Sequence, residues 1–211
     1  MIKPLPIPTI TRLCAMYELC DRLAVQGRER VTSRQLGVLL GCGSDSVRKD
    51  ISRMGGVGER AGRYTVSLLR RRLTERLHLD RERRACVVGL GRLGTALLEY
   101  RRLADGPLRV VAGFDASVNR LETLRTPVPT YPEHEIELIV RREGIELALL
   151  AVPTDQAQGV ADRLIAGGIA GILNFAPVAL QVGKAPVVVR TVDVITELLV
   201  LGTFIDVAQN G

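Results

Sequence analysis

Three glycines and one aspartate are the residues of this chain whose types and spacing could do chemistry. Gly89, Gly91 and Gly94 follow the apolar run Cys86-Val87-Val88, and Asp115, 21 positions beyond Gly94, ends a second apolar run from Leu108 to Phe114. A glycine in the first place permits a tight turn. In the second it lets a pyrophosphate approach the backbone, and in the third it lets a helix pack close to the strand. Leu90, Arg92 and Leu93 fill the gaps, and a helix opening at Arg92 turns unpaired N–H groups toward phosphates. A carboxylate at Asp115 accepts hydrogen bonds from an adenosine ribose and repels a 2′-phosphate, which favours NAD(H) over NADP(H). The alternative for Asp115 is a strand-end cap.

Two later loops are expected on the nicotinamide side, beyond the carboxyl ends of their strands. They are Ala151-Val152-Pro153-Thr154 and Asn174-Phe175-Ala176-Pro177. Hydride-transfer enzymes need a proton donor or acceptor beside the nicotinamide. Lys184 and His134 lie outside both loops, and Tyr100 is expected inside the helix that opens at Arg92. A dinucleotide site without an acid or base points to sensing rather than turnover.

A different chemistry is written in the front of the chain. Residues 1–84 carry 18 Lys+Arg against 9 Asp+Glu, whereas residues 85–211 carry 11 against 14. The net charge of +6 therefore arises wholly in the front, which fits a polyanion. Ser46, Arg48, Lys49 and Arg53 share the polar side of one short helix, as cations for phosphates and base edges and a small group that lets the backbone approach. A glycine-rich segment, Gly56 to Val66, reads as a hairpin with Arg60 and Arg63 near its tip, and Arg60, Arg63 and Tyr64 are its expected DNA contacts. It matches a wing whose arginine enters the minor groove.

The elements that must position these residues follow from periodicity. Residues 7–25 read as a helix with Ile10, Leu13, Cys14, Tyr17, Leu19 and Leu23 on one stripe. Thr32 and Gln35 fit a capping box, with Leu36, Leu39 and Leu40 buried behind it. Gly41-Cys42-Gly43 breaks the chain, Ser44 caps again, and residues 45–54 form a helix that turns Val47, Ile51 and Met54 inward. Two short helices around a glycine turn are a helix-turn-helix, or a plain helical hairpin. Residues 67–84 form a basic helix and a linker. Behind it come strands at 85–88, 108–114, 147–152, 171–174 and 186–190, alternating with helices at 92–103, 132–143 and 156–167. That order predicts an α/β Rossmann domain, a parallel doubly wound sheet, preceded by a winged-helix domain.

At 211 residues the chain holds two modest cores. The expected division is 1–80, 81–191 and a terminal segment 192–211. No apolar run approaches 18 residues, and the first 25 residues lack the signs of a signal peptide, so no membrane association and a cytoplasmic location are expected. Cys14, Cys20, Cys42 and Cys86 have no Cys-x-x-Cys spacing, so reduced thiols and no metal are expected.

Taken together these residues resemble the Rex family of redox-sensing transcriptional repressors. The likeness rests on Ser46-Val47-Arg48-Lys49-Asp50, the wing ending in Tyr64, and Gly89 to Leu97 with Tyr100. It also rests on Phe114-Asp115, Gly171 to Pro177, and Val192-Asp193. The resemblance implies a homodimer that binds double-stranded operator DNA when NADH is scarce, with NAD⁺ and NADH as the ligands and no catalysis. It implies that NADH closes the two Rossmann domains, that a last helix at 194–208 swaps into the partner, and that Tyr100 and Asp193 carry the switch. The chain departs from the family at Met54, at Arg63 before Tyr64, and at Glu18, where some members place an arginine that pairs with the aspartate matching Asp193. The competing readings are an NAD-dependent oxidoreductase with a basic N-terminal appendage, and a Rossmann domain for another nucleotide such as coenzyme A.

Overall fold

A computed structural model of the chain describes residues 5–55, 62–100, 103 and 106–210. The chain divides into two compact units, Met1–Arg81 and Glu82–Gly211.

The first unit opens with helix α1, Ile7–Val25. Leu13, Met16, Tyr17, Cys20 and Leu23 recur at three- and four-residue spacing and are buried. Cys14 and Ile10, expected on that stripe, are exposed. Strand β1, Arg30–Thr32, leads into helix α2, Ser33–Leu39. The Thr32 hydroxyl accepts the Gln35 N–H at 3.1 Å and the Gln35 side-chain oxygen accepts the Thr32 N–H at 2.9 Å, which is the expected capping box. Leu36 is buried, Leu40 half-buried and Leu39 exposed, because the buried face of α2 runs through Ser33, Leu36 and Gly37 and Leu39 lies off it.

Helix α3 spans Ser44–Arg53. Its N-cap is Gly43, without a side-chain cap, so Ser44 is the first helical residue and not the cap expected of it. Val47 and Ile51 are buried and Met54 is half-buried. Strand β2, Arg63–Thr65, pairs antiparallel with β1, placing Val31 opposite Tyr64. Its partner among the described residues is thus the strand before α2, not the other arm of a local hairpin. Arg60 lies outside the described residues. Helix α4, Val66–Leu77, closes the unit by packing on α1 through buried Leu69 and Leu73, with the Arg70 guanidinium 5.3 Å from the Tyr17 ring centre.

The second unit is built on a parallel sheet of β3 (Arg83–Val88), β4 (Leu108–Asp115), β5 (Thr130–Pro132), β6 (Leu147–Leu150), β7 (Gly171–Asn174) and β8 (Val188–Thr191). Their spatial order is β5-β4-β3-β6-β7-β8. Side chains alternate across it. Cys86 and Val88 join Phe114, Ile139 and Leu164 in one core, while Ala85 and Val87 join Leu90, Leu98 and Leu149 in another. Both faces are covered, as a doubly wound parallel sheet requires.

The helices are α5 (Arg92–Leu98), α6 (Val118–Thr123), α7 (Ile136–Glu143), α8 (Thr154–Gly167) and α9 (Val194–Asn210). Helix α5 ends five residues earlier than its periodicity suggests. The Tyr100 N–H bonds to the Leu97 carbonyl at 3.3 Å and the Leu103 N–H to that of Tyr100 at 2.8 Å, tighter three-residue turns that leave the α-helical path. Residues 132–143 are not one helix either. Pro132 ends β5, a 3₁₀ turn takes Glu133–Glu135, and only then does α7 begin.

Candidate nucleotide site and nucleic-acid interface

The strand order reverses beside β3, where β4 lies on one side and β6 on the other. Such a switch point opens a crevice at the carboxyl ends of the strands. The turn after β3 is held by the Gly89 N–H on the Phe114 carbonyl at 2.8 Å, and the Ala151 N–H reaches the Val88 carbonyl at 2.8 Å. Gly89 has φ +90°, and a Cβ there would lie 2.5 Å from the Ala151 carbonyl oxygen. A Cβ on Gly94 would lie 1.8 Å from the Gly89 oxygen, so the start of α5 packs against the turn only as glycine. Gly91 is different. A Cβ there meets nothing within 4 Å, so its backbone borders open space.

The side chains between the glycines divide their work. Leu90 is buried and contributes its N–H, while Arg92 and Leu93 are exposed at the first turn of α5. Asp115 is buried, 4% exposed, and its carboxylate is fully engaged. It accepts the Leu90 N–H at 2.7 Å and the Ser117 N–H at 2.8 Å. Arg120 Nη1 adds contacts of 2.9 and 2.8 Å to its two oxygens. Asp115 therefore ties the glycine turn to the end of β4, as its strand-end reading requires. The ribose reading has to share this carboxylate with Arg120.

The later loops behave unevenly. Val152 and Ala176 are buried, Phe175 packs with the Leu90 cluster, and Pro153 and Pro177 are exposed. Asn174 is wholly buried and its amide is committed to its own loop and to the Thr191 hydroxyl at the end of β8, 3.3 Å away. It donates to the Ala176 and Val178 carbonyls at 2.9 and 2.8 Å, and its oxygen accepts the Ala176 N–H at 2.9 Å. It shapes the loop; the backbone and the small side chains are what the loop presents.

Tyr100 and Asp193 are not brought together within one chain. Tyr100 is exposed and borders a cleft with Arg84, Arg109 and Val110, at the beginnings of β3 and β4. Asp193 follows the end of β8. Its carboxylate caps α9, accepting the Ile195 N–H at 3.0 Å and the Thr196 hydroxyl at 2.7 Å. The Thr196 bond holds the Asp193 carboxyl below the usual carboxylate range.

In the first unit Lys49 and Arg48 are exposed on α3, with Ser46 half-buried beside them. Arg48 is steadied by Asp45 and by the Ser33 hydroxyl at 3.3 Å. Arg53 points partly inward, with Nη1 2.9 Å from the Thr9 hydroxyl and 3.4 Å from Asp50. Arg63 is exposed on β2. Tyr64, grouped with the DNA contacts on sequence, is buried in the core of the unit, 6% exposed, and burial pushes its phenol up. Its neighbour Val31 across the strand pair explains why: alternate residues of β2 face the core.

Two features escaped the sequence reading. Asp50 is 1% exposed and accepts from Arg12, Thr9 and Arg53, and its place beside Val47 and Ile51 on the apolar side of α3 was the available signal. Arg120 was hidden because α6 went unread, although Ser117, which accepts the Arg120 N–H at 3.3 Å, is a helix-start residue. Among the described residues no group of three or more His, Cys, Asp or Glu side chains is placed to hold a metal, and no helix is long and apolar enough to cross a membrane.

A helix-turn-helix unit and a Rossmann unit in one chain define a class: a nucleotide-binding fold carrying its own nucleic-acid-binding fold. Comparisons with known proteins agree. Residues 4–52 match the family described as "Putative DNA-binding protein N-terminus" and residues 80–178 the family described as "CoA binding domain". The "Redox-sensing transcriptional repressor Rex" of Listeria welshimeri is 34% identical over 202 residues, covering 96% of this chain and 94% of that protein. Its namesake in Levilactobacillus brevis is 35% identical, covering 97% and 96%. Among solved structures, RSP in complex with beta-NADH superposes with a TM-score of 0.85 at 27% identity, covering 98% of this chain and 97% of RSP. RSP in complex with beta-NAD⁺ and operator DNA also gives 0.85 at 27% identity, covering 98% and 95%. The chain belongs to the Rex family of redox-sensing transcriptional repressors.

Proposed function

We propose that this protein binds double-stranded operator DNA through its first unit and releases it when NADH occupies the second, so that transcription follows the NADH/NAD⁺ ratio. The observation that carries this reading is the full-length likeness to RSP, one of whose structures holds beta-NADH and another beta-NAD⁺ with operator DNA. In this reading the dinucleotide lies across Gly89, Leu90, Gly91, Arg92, Leu93 and Gly94, with Asp115 at its adenosine ribose. Val152, Pro153 and the 174–177 loop border its nicotinamide. Arg48, Lys49, Arg60 and Arg63 meet DNA, with Ser46 allowing close approach and Arg53 contributing from a partly internal position.

Catalysis is not part of the proposal. Gly89–Gly91, Ala151–Pro153 and Asn174–Pro177 contain no histidine or lysine, and nothing there is suited to move a proton at the nicotinamide. A cytoplasmic homodimer is. Helix α9 exposes Ile195, Leu198, Leu199, Leu201, Phe204 and Val207 along its whole length, at 55–67% each, more apolar surface than a lone helix keeps in water. A second copy, exchanging this helix, supplies the cover. A switch joining Tyr100 to Asp193 then works across the two copies.

The test is a gel-shift titration on a palindromic operator. NADH is expected to release the DNA at concentrations where NAD⁺ does not. Equal release by both ligands, or stronger release by NADPH or an acyl-coenzyme A, overturns the reading.

A further inference from the structure

We propose that Arg120 is a second determinant of cofactor choice: it competes with the adenosine ribose for Asp115 and, once displaced, offsets the repulsion between Asp115 and a 2′-phosphate. The inference rests on the reading of the crevice as a dinucleotide site.

A carboxylate offers about four acceptor positions, two on each oxygen. In Asp115 one oxygen is taken by the Leu90 N–H and the other by the Ser117 N–H, both fixed by the backbone. The remaining position on each oxygen is bridged by a single donor, Arg120 Nη1, at 2.9 and 2.8 Å. A ribose diol needs those same two positions, one hydroxyl to each oxygen. The guanidinium therefore stands where the sugar must donate, and the two exclude each other.

Displacement is feasible because the partners differ in burial. Asp115 is 4% exposed on the side-chain scale and Arg120 is 46% exposed. Asp115 is fixed by its backbone donors, whereas Arg120 rides on the six-residue helix α6 and reaches solvent by a change of rotamer. Its tether of five residues keeps the freed guanidinium beside the sugar. A planar fork of donors there matches a phosphate monoester better than an ammonium would. A lone aspartate rejects a 2′-phosphate by like-charge repulsion; an Asp–Arg pair does so far less.

The experiment measures NADH and NADPH dissociation constants by calorimetry on the full-length protein and on Arg120→Ala, Arg120→Gln and Arg120→Lys. Removing the cation is expected to tighten NADH and weaken NADPH, widening the ratio of their constants by about tenfold in both the Ala and Gln variants. Arg120→Lys, which keeps the charge but not the fork, is expected to give a ratio between those of the parent and the Ala variant. Retained NADH binding reports that each variant is folded. If the parent and variants all bind NADH with one unchanged NADPH/NADH ratio, the assignment of Arg120 fails and the dinucleotide reading stands. A parent protein that binds neither nucleotide overturns both together.

Discussion

Arg12 and Asp50 join the first helix to the third at two points, Nε to Oδ2 at 2.6 Å and Nη2 to Oδ1 at 3.1 Å. The same carboxylate accepts the Thr9 hydroxyl at 3.0 Å. Bonding to Asp50 raises the Arg12 guanidinium further above its ordinary value. The contact fixes the rotation of α3, and hence the direction in which Lys49 and Arg48 point. The helix that exposes Lys49 and Arg48 is thus anchored to α1 by a buried anion.

Asp50→Ala should show this coupling. The change strips a buried acceptor from Arg12 and Arg53, whose side chains keep partial access to water, and from Thr9, which is buried and has none. The expected loss of stability is about 2–3 kcal/mol, the range for a charged hydrogen-bonded partner rather than that of a fully buried ion pair. Denaturant unfolding of the intact protein measures it. Operator affinity should fall as well, and a variant with both properties unchanged would remove the proposed role of Asp50 in aiming the helix.

Lys49 and Arg53 should separate recognition from support. Lys49 is exposed on α3, so Lys49→Ala should weaken operator binding by about 1–3 kcal/mol if it reads bases. If it meets a phosphate, the salt slope should instead drop by about one. Its Tm should not move. Arg53→Ala should lower Tm and affinity together, because Thr9 and Asp50 lose a donor. Equal behaviour of the two variants would contradict the division.

The fold was legible where a pattern was long or chemically forced. Helix α1 spans residues 7–25 as its apolar spacing implies, and the Thr32–Gln35 box and the 171–174 strand fall at the expected residues. Short elements escaped. A six-residue α6 and a three-residue β5 are below the length at which periodicity speaks, and α5 stops where local turns at Tyr100 override a helical composition. The site was legible as a set of glycines, since a Cβ at Gly94 collides with backbone. What side chains do with their polar atoms was not. Asn174 turns inward to its loop, Tyr64 to the core, and Arg120 to Asp115, each decided by tertiary neighbours that no spacing encodes.

The thiols supply a check that depends on burial alone. Cys20 and Cys86 are wholly buried, and burial pushes each up to about 12 from an ordinary 9.0. A raised folded value favours the neutral thiol. Its contribution to stability is complete below pH 9 and is lost as pH rises toward 12. Stability should therefore decline above pH 9, more than in a Cys20→Ala, Cys86→Ala double variant. At pH 8 a thiol reagent should label exposed Cys14 quickly and leave Cys20 and Cys86 unmodified until unfolding, because the thiolate is the reactive form. Rapid labelling of Cys86 in the folded protein would refute the packing of β3.

Removing residues 192–211 should give monomeric or aggregated protein. The truncation deletes the apolar helix that a second copy is proposed to cover, and sedimentation measures the outcome. A soluble dimer that still responds to NADH would contradict the exchange of α9.

Asp193 has two roles to distinguish, and the geometry sharpens the choice. Its carboxylate caps α9 through the Ile195 N–H and the Thr196 hydroxyl. A lowered folded value means the charged cap is present above the ordinary carboxylate range and is lost as pH falls through the lowered value. At neutral pH the group is an anion, and an anion feels the difference between the positive nicotinamide ring of NAD⁺ and the neutral ring of NADH. The preference it creates is limited to the difference in affinity between the two ligand forms. Asp193→Asn retains much of the capping and removes the charge, because Asn and Asp are comparable N-caps. Asp193→Ala removes both. If the charge matters, the Asn variant should narrow the gap between NADH and NAD⁺ in releasing operator DNA while its helicity by circular dichroism stays at the parent level. The Ala variant should narrow the same gap and also lose helicity. If the Asn variant separates the two ligands as sharply as the parent, Asp193 serves α9 alone and the redox signal is carried by other groups.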